Sequence, residues 1–139
     1  VSNEIARPDG RTVLLDWAFA GDGAIGEDAG NHIPDAAFDL FWPGERIAEL
    51  DAAVTAAYLA GLREAGRSGD RSEVRLGIVA SCVKYVWLLP GMLARASATE
   101  HRAYHEVADA EQLYRQRGLV LAHLVGWCEE ALALLEAGR

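Results

Sequence analysis

Asn3 and Asp16 are the residues whose types and spacing point most directly to chemistry. They flank Pro8-Asp9-Gly10, a strong turn signal with apolar residues on both sides, so the segment reads as a β-hairpin. With the loop centred between Asp9 and Gly10, cross-strand partners carry numbers summing to 19. Asn3 and Asp16 meet that sum, which predicts that they face each other with Cβ atoms roughly 4.5–5.5 Å apart. An amide oxygen and a carboxylate that close suit a hard cation such as Mg²⁺, which takes few protein ligands and completes its shell with water and phosphate oxygens. Phosphoryl transfer needs such a pair. The expectation depends on register, because a one-residue bulge at the turn would send the two side chains to opposite faces.

Trp17 and the residues after it make the pattern more specific. Asn3, then Asp16-Trp17, then a Gly-rich stretch ending Gly26-Glu27-Asp28 resembles the aminoglycoside phosphotransferase and choline kinase-like family, small-molecule kinases with a protein-kinase-like fold. The resemblance implies that Asn3 closes the catalytic loop and binds metal, and that Asp16 is the second metal ligand. It implies that Asp28 is a buried residue bracing the catalytic loop through backbone hydrogen bonds. It further implies Mg²⁺ as cofactor and ATP or GTP as co-substrate, with the γ-phosphate passing to a hydroxyl of a small acceptor, cationic in the manner of an aminoglycoside. The family's catalytic Asp lies a few residues before its Asn, and its glycine-rich loop and lysine belong to an N-lobe. Neither has a counterpart here, and the one lysine, Lys84, lies in an apolar helical run. The chain therefore reads as the C-lobe of a phosphotransferase, with the general base expected upstream of Val1 and no activity of its own. The resemblance rests on motifs over residues 1–30 and on architecture alone thereafter. The alternative is a non-catalytic module, pseudokinase-like or truncated, that binds a small molecule or a partner.

Composition is compatible with this reading. The 139 residues fit a single domain, 51% hydrophobic and 24% charged, which is the range of a globular chain. A net charge of −8 argues against a nucleic-acid partner, which would want a basic face, and suits a cationic ligand. Cys82 and Cys128 have no CxxC partner, so both read as buried free thiols in a reducing cytoplasm. The most apolar run, Leu76 to Leu93, contains Ser81, Lys84 and a Pro90-Gly91 break, so it reads as a buried central helix rather than a membrane span.

The expected fold is α+β and mostly helical: a β-hairpin packed on a helical bundle, with hairpin and metal loop over residues 1–32 and a helical subdomain over 33–139. Pro34-Asp35-Ala36 reads as a helix start, ended by Pro43-Gly44. A second helix is predicted from about Glu45 to Ala65, with Ile47, Leu50, Val54, Tyr58 and Leu62 on one stripe. A third begins at Ser72-Glu73. Ala96 to Glu106 is a connection, in part helical. The last helix runs from about Ala108 to Glu136 and buries Leu113, Val120, Leu124, Cys128 and Leu135. Trp87 and Trp127 read as core.

Other constellations are weaker. Gly21-Asp22-Gly23-Ala24-Ile25-Gly26 matches a dinucleotide fingerprint letter for letter. Asp22, Glu27 and Asp28 would repel a pyrophosphate, however, and no βαβ repeat follows. His101 and His105 would share a helix face and suit Zn²⁺, but Arg102 stands where a metalloprotease motif has Glu. His123, among apolar neighbours, reads as a core or edge histidine. Asp35 and Asp39, i and i+4 on the short helix, offer two carboxylates to a cationic substrate, and His32 in the acidic loop lies within its reach.

Overall fold

The computed structural model describes residues 4–14, 21–67, 69–97, 101–102 and 107–138. Strands β1 (Glu4–Ala6) and β2 (Thr12–Leu14) form the hairpin. Helices α1 (Glu27–Phe38), α2 (Ile47–Glu64), α3 (Arg71–Val83), α4 (Leu88–Ala94) and α5 (Ala110–Ala137) follow. A second small hairpin, β3 (His101–Arg102) with β4 (Val107–Ala108), precedes α5. The mostly helical α+β class is as expected. The kinase-like likeness of the bundle is a separate matter.

The first hairpin corrects the expected register. Glu4 pairs with Leu14, Ile5 with Val13 and Ala6 with Thr12, so partners sum to 18. The cause is Gly10, whose φ of +79° places it in the left-handed region. Arg7 accepts from the Gly10 amide at 3.0 Å, and the Arg7 amide donates to Arg11 at 2.8 Å. Pro8-Asp9-Gly10 is therefore a three-residue loop, a turn followed by a left-handed residue. Residues 5–13 are all exposed, Ile5 by 50%, so this part of the hairpin is not packed on the bundle as expected.

The core is built where α1, α3 and α5 meet. Ala29, Ile33 and Ala37 on α1 recur every four residues, as do Val74, Ile78 and Cys82 on α3, and both rows are buried. Small residues let the two backbones approach. A Cβ on Gly77 would overlap the Ile25 carbonyl, and one on Gly26 would lie 2.6 Å from the Val74 carbonyl oxygen. The helical region begins at Glu27, seven residues before the predicted start, and Pro34 sits inside α1. A proline there leaves the carbonyl four residues back without its helical donor. The Cys82 thiol, 3.2 Å from the Gly30 carbonyl oxygen, fills that place from α3. Burial raises the pKa of this thiol strongly, so it acts as a donor and a small apolar group.

α5 brings in Leu113, Val120, Leu124 and Trp127. Asp109 caps it by accepting from the Gln112 amide at 3.2 Å. Trp127 takes the buried place predicted for Cys128 and Leu135. Cys128 is exposed, and Leu135 is 48% exposed. The run from Leu76 to Leu93 is also corrected. Ile78, Val79, Ser81 and Cys82 are buried, and the run then passes through a 3-10 turn, Lys84–Trp87, into α4, where Leu88 and Met92 pack against the core while Val86 and Leu93 are exposed. Trp87, predicted as core, is 70% exposed. Arg71–Ala94 and Ala110–Ala137 are long and apolar enough to cross a membrane by length and composition. That is weak evidence, because core helices of bundles pass the same test.

A charge cluster, buried at Asp51 and half-buried at Arg75 and Glu130, joins α2, α3 and α5. Arg75 donates to both oxygens of Glu130, each at 2.7 Å, and forks onto the Asp51 carboxylate. Trp127 Nε1 donates to Asp51 at 2.8 Å, and Thr55 donates at 3.2 Å. Burial pushes the Asp51 pKa up, but the bonds from Arg75 and Trp127 outweigh it and hold the carboxyl below its ordinary value. Removing one partner of such a cluster strands the other charge. We expect Arg75→Ala to cost about 3–5 kcal/mol, read from urea unfolding. Because the folded pKa of Asp51 is lowered, its contribution is complete above the ordinary value near 3.9 and is lost progressively as pH falls from there through the lower folded value. The urea midpoint should drop below about pH 4, and Asp51→Asn should flatten that drop.

Candidate functional site

The sequence-derived site residues divide into three groups. Asn3 and Asp16, the expected Mg²⁺ ligands, lie outside the described residues. Among the described residues, no group of three or more His, Cys, Asp or Glu side chains is arranged to hold a metal. The expected His101–His105 helix face is also corrected: His101 begins a strand, and His105 lies outside the described residues.

Asp28 and His32 are both on α1 rather than in a loop. Asp28 is exposed on the first turn, where a carboxylate is favoured by the helix dipole. It is not the buried residue the resemblance implies, because the first turn presents it outward while Ala29 and Gly30 take the inner positions. His32 is half-buried on the same helix. His123 is half-buried too, its ring edge-on to Trp127 at 4.6 Å, as befits an edge histidine.

Asp35 and Asp39 are brought together. One turn apart on α1, they line a groove of about 1130 Å³ between α1, the Lys84–Trp87 turn and α4, with Arg117 of α5 at one side. Its floor is aromatic. The Phe38 and Tyr85 rings stack with centroids 5.9 Å apart and planes 20° from parallel. The Tyr85 hydroxyl donates toward the Asn31 carbonyl at 3.2 Å and the Asp35 carboxylate at 3.3 Å. The exposed Trp87 forms one wall.

The charges of the groove are distinct in kind. Lys84 is already engaged: its Nζ lies 2.7 Å from Glu27, whose carboxylate also accepts from the Ala24 amide at 3.3 Å. Arg117 donates from Nε to the Phe38 carbonyl at 3.2 Å, with its guanidinium carbon 5.9 Å from the Phe38 ring centroid. It thereby caps the C-terminal end of α1 from another helix. Burial raises the Tyr85 pKa strongly, and the Asp35 charge beside it raises it further. Tyr85 therefore remains a neutral donor at physiological pH.

A second groove, about 620 Å³, lies over the Asp51–Arg75–Glu130 cluster between α2 and α5. Its buried charges are engaged with one another, which leaves the α1 groove as the better candidate. Tyr85, Phe38 and Arg117 were missed in the sequence. Phe38 looked like an apolar position of the short helix, Tyr85 and Arg117 carried no signal of their own, and only the close crossing of α1 and α3 and the packing of α5 bring them beside Asp35 and Asp39.

No protein-family model, no curated protein and no solved structure matches the chain.

The Tyr85–Asp35 contact gives a direct check. Asp35→Asn removes the charge that disfavours the phenolate, so the Tyr85 titration should move down toward the ordinary tyrosine range. Absorbance of the tyrosinate, with Tyr85→Phe subtracted to isolate this residue, measures it; an unchanged midpoint would show that Asp35 does not act on the phenol.

Proposed function

We propose that this chain is the C-terminal part of a Mg²⁺-dependent small-molecule kinase, and that the α1 groove is its acceptor pocket. The observation that carries the reading is the ordered pattern Asn3, Asp16-Trp17 and Gly26-Glu27-Asp28. The acidic, aromatic-floored groove supports it, since it begins within two turns of Asp28 and suits a cationic acceptor. In this reading, Asn3 and Asp16 hold Mg²⁺ against the β- and γ-phosphates of ATP or GTP. The general base precedes Val1, and catalysis is positioning and charge stabilisation. Asp35 and Asp39 hold the acceptor, with His32 on the same helix. The reducing cytoplasm is the compartment that fits two free cysteines, and neither nucleic acid nor membrane is a partner.

One observation favours a second reading, a non-catalytic binding module: the described pairs of β1 and β2 sum to 18, not to the 19 on which the metal reading was built. Asp16→Ala in the full-length protein separates the two. Loss of on the order of 10²–10³ in kcat for Mg²⁺-dependent phosphoryl transfer or nucleotide hydrolysis is expected for the kinase. Turnover that survives the substitution unchanged rejects Asp16 as a metal ligand.

A further inference from the structure

The outer face of α5 is unlike that of an ordinary surface helix. Leu113, Val120, Leu124 and Trp127 fill its buried side. Every exposed residue between Arg115 and Glu129 is uncharged: Gly118, Ala122, Val125, Gly126 and Cys128. Val125 is 59% exposed, and a Cβ on Gly118 or Gly126 would meet nothing within 4 Å. A surface helix normally carries polar and charged residues on this side. Glycine inside a helix is unfavourable, and at Gly30 and Gly77 the crossing backbone accounts for it. Among the described residues, no element does so for Gly118 and Gly126. The charges that bound this face are opposite in sign. Glu129 is exposed. The Arg115 side chain is 73% exposed and reaches Glu45 only at 3.7 Å, and Glu45 already accepts from Gln116 at 3.0 Å.

We propose that this face pairs antiparallel with α5 of a second copy of the chain, about a two-fold axis at Ala122. Ala122 lies seven residues from Arg115 and seven from Glu129. Seven residues are close to two helical turns, so the three share one line along the helix. Gly118 and Gly126 lie four residues to either side of Ala122. The two-fold therefore sets Arg115 against the partner's Glu129 at both ends of the contact. It sets Gly118 against the partner's Gly126, which lets the backbones approach, and Val125 against the partner's Leu119. The charges choose the direction, because a parallel pair in register would oppose like charges at both ends. They also choose the occupant. A two-fold interface must complement itself, and this face does so in charge as well as in shape. The pairing is independent of the α1 groove and of the kinase reading.

Sedimentation velocity of the full-length protein over a concentration series tests this. A contact of about four turns is small for an interface, so a dimer with a Kd of roughly 1–100 µM is expected. Glu129→Arg opposes like charges at both ends and should weaken self-association about tenfold or more. Arg115→Glu should do the same. Mixed together, the two variants regain opposite charges at both ends and should associate about as tightly as the parent protein. Oxidative cross-linking reads the register. In a Cys128→Ser background, Ala122→Cys should give a disulfide-linked dimer, because only position 122 meets itself, and Val125→Cys should not. The substituted positions are all exposed, so the variants keep the fold. A monomer throughout the series, self-association indifferent to either charge reversal, a mixture that stays monomeric, or cross-linking at Val125→Cys rather than Ala122→Cys overturns the proposal. None of these readouts involves phosphoryl transfer, so they are separate from the fate of the Asp16→Ala test.

Discussion

The close crossing of α1 on α3 is the constraint on which the rest of the structure depends. Gly26, Gly30 and Gly77 let backbone meet backbone, so that the carbonyls of Ile25, Val74 and Ile78 occupy the space where side chains would stand. Close packing of this kind tolerates no extra methylene without displacement. The crossing also resolves a local defect. Pro34 denies the Gly30 carbonyl its helical donor, and Cys82 from the facing helix supplies one. A proline that would weaken an isolated helix is thus accommodated by tertiary contact. Because Tyr85 follows α3 directly, the same crossing sets its ring on Phe38 and its hydroxyl on Asp35.

Charge is distributed between two places with different consequences. At Asp51, Arg75 and Glu130 the groups satisfy one another, and Trp127 and Thr55 complete the lone pairs. Such a cluster fixes how three helices fit together more than it adds stability. In the α1 groove, the carboxylates of Asp35 and Asp39 face a volume open to solvent, beside a half-buried arginine. The first arrangement is closed and structural, and the second opens to solvent.

The elements with strong local signals were legible in the sequence. The long apolar stripe gave α5 to within two residues at each end, and Ile47 to Leu62 gave α2. The hairpin was legible from Pro8-Asp9-Gly10, but its register was not. A left-handed Gly10 closes a three-residue loop, whereas the same letters also suit a two-residue one. The start of α1 was obscured because Pro34 resembles a first-turn proline. Trp87 and Cys128 were misplaced because a nearly continuous apolar run carries no periodicity to say which face is buried. Asp51 was missed because it lies beside the apolar stripe of α2 and is matched only by an arginine on another helix. In the candidate site, the Asp35–Asp39 pair could be read from helical spacing. Tyr85 and Arg117 could not, because tertiary contacts alone bring them there.

Thermal unfolding of Gly30→Ala tests the backbone crossing most directly. In an ordinary helix interior, alanine in place of glycine stabilises by roughly 0.8–1 kcal/mol. At Gly30 the added Cβ would overlap the Ile78 carbonyl and lie 2.7 Å from the Ser81 Cβ, so Tm should fall. A Tm that rises, as helix propensity alone dictates, would show that α1 and α3 do not meet at this distance and would remove the frame that holds the groove.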